Sequence, residues 1–129
     1  MQFERAGCKP ILRPTEKQIS RALSLTKSSH ASLVAADGSF VQVGGGPGLF
    51  MLEFRDAQGK HIRASQLSPV VSFPDGSVLR FAGNQIALAQ NEWFLLRQIV
   101  EVLSAFAAGQ SFPSFVAWKE LDADFSINR

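Results

Sequence analysis

The sequence predicts an α+β domain: a twisted, mostly antiparallel sheet of about five to seven strands built from hairpins, with a short N-terminal helix and a long C-terminal helix packed on one face. Three observations carry that expectation. Turn residues at Asp37-Gly38, Gly59 and Pro74-Asp75-Gly76 separate apolar runs, which is the pattern of hairpins. Residues 50–55 alternate, with Phe50, Leu52 and Phe54 on one side and Met51, Glu53 and Arg55 on the other. Two further segments repeat their apolar residues at helical spacing.

The elements follow in order. Residues 1–13 mix charge, Gly and Pro and read as an irregular or partly extended lead-in. "TEKQ" at 15–18 fits a capping box, so a first helix starts at Thr15. Its stripe is Ile19, Ala22 and Leu23, and "TKSSH" ends the pattern near residue 28. Residues 31–35 and 39–43 flank Asp37-Gly38, a turn whose central residues tolerate positive φ. A second hairpin spans "LFMLEFRDAQGKHIRAS", where Ile62 rejoins the apolar face and His61 and Arg63 point outward. A third turns at Pro74-Asp75-Gly76, with Val71, Phe73, Leu79 and Phe81 on one face. "GNQIALAQ" fits either a loop or a short edge strand.

The second helix is the clearest element. Asn91 suits its N-cap, Glu92 the positive end of its dipole and Gly109 its C′ stop. Trp93, Leu96, Ile99, Val100, Leu103, Phe106 and Ala107 recur at helical spacing, widened by Leu95 and Val102. A last strand falls at 115–120, before a polar tail with Asp122 and Asp124.

Length and composition bound the function. The 129 residues suit one domain, and 46% hydrophobic against 19% charged residues marks a globular chain. A formal charge of +2, with no two adjacent Lys or Arg, argues against a nucleic-acid partner. Cys8 is the sole cysteine, so no internal disulfide forms, and it reads as an inert thiol. The first ten residues lack the apolar run of a secretory signal, and Arg97 and Glu101 interrupt the longest apolar helix. A cytoplasmic protein with no membrane partner is the expectation.

Chemical motifs fail on spacing. "VGGGPGLF" at 43–50 has no Lys and no following helix, so it is not a phosphate loop but a connection between strands. Its bare backbone at Gly45 and Gly46 would also let another surface come close. Cys8, His30 and His61 show no metal-ligand spacing, and no Ser sits in a nucleophile motif. Neither cofactor nor metal is expected. What remains is the outward face carrying Met51, Glu53, Arg55, His61 and Arg63, which reads either as an ordinary solvated face or as a charged surface for protein recognition.

The segment "SFVQVGGGPGLFMLEFRDAQGKHIRAS", with its Glu53-Phe54-Arg55, and the ending "FVAWKELDADF" resemble small immunity-type proteins of bacterial polymorphic and type VI secretion toxin systems. The resemblance spans about residues 39–64 and 91–125 and lies at the level of the fold. It implies a non-enzymatic protein that binds a cognate toxin and blocks it sterically and electrostatically. Glu53, Arg55, His61, Arg63, Gly45, Gly46 and Trp118 are the candidate partner contacts, with Arg55, Arg63 and Trp118 as anchors. The competing expectations are a small-ligand or enzymatic domain with a pocket on the open sheet face, and a homo-oligomeric adaptor.

Overall fold

The computed structural model describes residues 1–5, 7–24 and 29–121. It is an α+β fold with antiparallel pairing in every described ladder. In chain order come β1 (Gln2–Arg5), β2 (Ile11–Leu12), α1 (Glu16–Ser24), β3 (Ser29–Val34), β4 (Phe40–Gly45), β5 (Leu49–Arg55) and β6 (His61–Gln66). Then follow β7 (Ser77–Phe81), β8 (Asn84–Leu88), β9 (Phe94–Leu95), α2 (Leu96–Ala107) and β10 (Val116–Glu120). Eight strands form one sheet in the order β10-β6-β5-β4-β3-β1-β2, with β9 added beside β5, while β7 and β8 form a separate hairpin. The expected end of the first helix near residue 28 and the tail with Asp122 and Asp124 lie outside the described residues.

The predicted local signals hold at several points. The Gln18 amide N–H donates to Thr15 Oγ1 at 3.1 Å, and the Thr15 N–H donates to Gln18 Oε1 at 2.9 Å, a complete capping box for α1. The hairpin turns at 35–39 and 56–60 share one design. Each closes with a glycine at positive φ, Gly38 at 91° and Gly59 at 92°, preceded by an aspartate that accepts backbone N–H bonds. At the end of α2, the Gly109 N–H reaches the Phe106 carbonyl and the Gln110 N–H the Ala105 carbonyl, a Schellman stop.

Four expectations need correction. Residues 1–13 take the extended alternative and are more than a lead-in: β1 pairs with both β2 and β3 and carries Phe3 into the core. The strands exceed five to seven, because this N-terminal hairpin and the short β9 both join the sheet. The third hairpin does not turn at Pro74-Asp75-Gly76. It turns at Ala82-Gly83, whose φ values of 50° and 77° both lie in the left-handed region that the tightest hairpins require. Finally, α2 starts at Leu96, and neither Asn91 nor Glu92 caps it. Phe94 and Leu95 pair instead with Phe50 and Leu49, so strand pairing overrides the helical period there. The Leu95 N–H is taken by Gln98 Oε1 at 2.9 Å.

The two faces of the sheet are covered differently. Ile19, Ala22 and Leu23 of α1 and Ile99, Val102 and Leu103 of α2 are buried in the main core. On the sheet side that core contains Leu33, Val41, Val43, Phe50, Leu52 and Ala64, the alternate residues of β3 to β6. Each well-buried side chain there contributes about 1.5–3 kcal/mol. The opposite face carries a second, smaller core of Met51, Leu79, Leu88 and Trp93, in which the β7–β8 hairpin lies over the sheet. No helix among the described residues is long and apolar enough to cross a membrane.

Candidate functional site

The residues predicted to share one face of the β5–β6 hairpin do share it. Glu53 stands opposite Arg63, and Arg55 opposite His61. The face itself, however, is not solvated. Glu53 and Arg63 are 2% and 3% exposed, Met51 is 2% exposed, and only Arg55 remains fully at the surface. The expectation of an open wet face is therefore corrected. Two causes act together: the β7–β8 hairpin covers Met51, and the charged groups beside it pair among themselves. Alternation identified the face that is not the main core, but alternation alone cannot show a second layer above it.

Glu53 is the hub. Its Oε1 lies 2.7 Å from His61 Nε2, and its Oε2 accepts from Arg63 Nε at 2.9 Å with Arg63 Nη2 at 2.8 Å. Arg63 Nη1 reaches Glu92 Oε1 at 3.7 Å, and Glu92 Oε2 pairs with Lys119 at 3.2 Å. At the other end, Arg55 Nη2 lies 3.3 Å from His61 Nδ1. A chain of alternating groups thus runs Arg55, His61, Glu53, Arg63, Glu92, Lys119, from β5 across β6 to β10. Glu92, expected at a helix end, instead closes this chain, with its Oε1 also accepting the Ala89 N–H at 2.7 Å.

The tautomer of His61 follows from its neighbours. An arginine only donates, so Nδ1 must accept from Arg55, and Nε2 must carry the proton that it gives to Glu53. A histidine on a carboxylate is also the orienting half of a hydrolytic triad. Here the second ring nitrogen meets a guanidinium, which is no nucleophile. The pair positions a cation.

Arg55 has a second support. Its guanidinium lies over the Phe40 ring, 5.9 Å from the centroid, on the paired position of β4. Phe40 was not among the predicted site residues. The aromatic-led strand was legible, but the register that sets Phe40 opposite Arg55 depends on both flanking turns.

The remaining predicted residues fall elsewhere. Gly45 is buried and Gly46 half-buried in the β4–β5 turn, where the Gly46 N–H bonds the Leu49 carbonyl at 2.8 Å. A side chain at Gly45 would place its Cβ 2.4 Å from the Leu49 carbonyl oxygen, at a φ of 126°. The neighbouring Gly44 makes room for the Phe81 ring, whose atoms would lie 2.5–2.9 Å from a Cβ. The close approach that the glycines permit is thus made, at Gly44, by the protein's own hairpin. Trp118 is half-buried on the opposite side of the sheet from Arg55, packed on Phe112 at 4.9 Å and Phe54 at 6.1 Å between ring centroids. The structure therefore separates Trp118 from the Glu53, Arg55, His61 and Arg63 group.

Glu53, His61 and Arg63 line none of the three described grooves. One of these, about 870 Å³, lies along the outer side of α1 and α2, lined by Leu96, Val100 and Pro113 with Glu16, Arg97 and Glu101. No group of three or more potential metal ligands occurs among the described residues. Compared with known protein families and with curated proteins, the chain matches none.

Proposed function

We propose that this is an immunity-type inhibitor, a bacterial cytoplasmic protein that binds one cognate toxin and blocks it by steric and electrostatic contact. The observation that carries the reading is the presentation of Arg55. It is an exposed arginine held by an aromatic ring and by a histidine that a buried carboxylate fixes in turn. Fixing a long side chain before binding removes the ordering cost, about 0.5–1.5 kcal/mol for each side chain immobilised. Arginines in such positions are frequent interface anchors. The sheet segment that resembles immunity-type proteins is the β4–β5–β6 meander that builds this support. Arg63 acts inside that support and Trp118 stands apart, so Arg55 replaces them as the principal anchor.

Co-expression with a candidate toxin encoded beside this gene tests the reading. The two proteins co-purify, and Arg55→Ala weakens the complex by about 2–4 kcal/mol while leaving the melting temperature of the free protein unchanged. Failure of the wild-type pair to associate removes the immunity reading.

A further inference from the structure

Arg55 differs from the other charged members of its chain. Glu53, Arg63, Glu92 and Lys119 each face an opposite charge, and nearby Lys60 pairs with Glu120 at 3.4 Å. Arg55 meets only a neutral imidazole nitrogen and a ring, with no carboxylate within ion-pair distance among the described residues. The carboxylates close to it in sequence are already committed. Asp56 accepts the N–H groups of Gln58 and Lys60, and Glu53 is engaged by His61 and Arg63. One of its five donors is used, which leaves four for a planar two-oxygen acceptor.

We propose that the Glu53–His61–Arg55 relay is a carboxylate-recognition site, in which Arg55 takes an aspartate or glutamate side chain of an acidic partner surface and His61 and Glu53 are positioning residues. The inference rests on the protein-binding reading above and names the chemistry of the group bound. Glu53 fixes the ring by accepting from Nε2, and this leaves Nδ1 unprotonated toward Arg55. The ring therefore orients the guanidinium without neutralising its charge, which a carboxylate in the same place would do. A phosphate would call for a second uncommitted cation beside Arg55, and Lys60 and Lys119 are engaged with Glu120 and Glu92.

The test follows the Arg55 Nε–H resonance by NMR during titration with a hexaglutamate peptide, with hexalysine and inorganic phosphate as separate probes. Hexaglutamate shifts the Arg55 signal, hexalysine does not, and phosphate does so about tenfold more weakly. His61→Phe, which keeps a ring but no acceptor, lowers the apparent affinity about tenfold. His61→Gln restores it to within about threefold, because one amide both accepts from Arg55 and donates to Glu53. Arg55→Lys loses the two-point contact. A hexaglutamate response confined to Lys60 and Lys119 overturns the proposal, as does wild-type affinity in His61→Phe. Equal or stronger phosphate binding assigns the site to phosphate and overturns it too. Toxin co-purification is read separately from these titrations, so failure of the immunity reading and failure of the relay are distinguishable.

Discussion

Glu53 holds two donors, His61 Nε2 at 2.7 Å and Arg63 Nε at 2.9 Å, where neither Glu53 nor Arg63 meets appreciable solvent. Removing one charge of such a pair strands the other. Glu53→Gln is therefore expected to destabilise the protein by about 3–5 kcal/mol, read from the midpoint of chemical denaturation. A loss under about 1 kcal/mol would show that the pair is hydrated. The exposed Asp37 makes a contrasting case. The Ser39 hydroxyl and then the Ser39 N–H donate to its carboxylate and hold its pKa below the ordinary value. A lowered folded pKa adds stability above the unfolded value, about 3.9, and that addition disappears as pH falls through the folded pKa. Asp37→Asn should thus melt below wild type at neutral pH, with the gap closing under about pH 4. A gap that widens in acid would contradict this.

The elements show what local sequence can and cannot specify. The capping box at Thr15, the Schellman stop at Gly109 and the two Asp-containing turns were legible because each is decided within about five residues. The β7–β8 turn, the start of α2 and the cover over β5 were not, because distant partners decide them. Trp93 fits the helical stripe of α2, yet it packs on Phe73 at 4.7 Å, after β9 has paired with β5. Gly44 records such a distant partner directly, since its missing side chain leaves room for Phe81. Gly44→Ala should lift the β7–β8 hairpin, seen as faster amide exchange across Ser77–Leu88 with the main core still protected. Adding Phe81→Ala should recover part of that protection. Unchanged exchange in Gly44→Ala would show that the hairpin is seated by other contacts.

At the scale of the molecule, two covered faces give the sheet a rigid centre, and the charge chain links that centre to its rim. The helices bury one face in the main core, and the hairpin buries part of the other around Met51 and Trp93. Between hairpin and edge strand, Glu53, Arg63 and Glu92 carry order from the interior outward to Arg55 and Lys119. Of the face expected to be solvated, Arg55 is the member left exposed. Sequence alternation placed Glu53, Arg55, His61 and Arg63 on one face of β5 and β6, but only their pairing shows that Glu53 and Arg63 are buried and that His61 lies between Glu53 and Arg55. The most direct test is the affinity of the toxin that the proposal calls for toward wild type, Arg55→Ala and His61→Phe, by titration calorimetry. Tight wild-type binding, lost with Arg55→Ala and weakened about tenfold with His61→Phe, is the predicted result. Equal binding by all three proteins would contradict it.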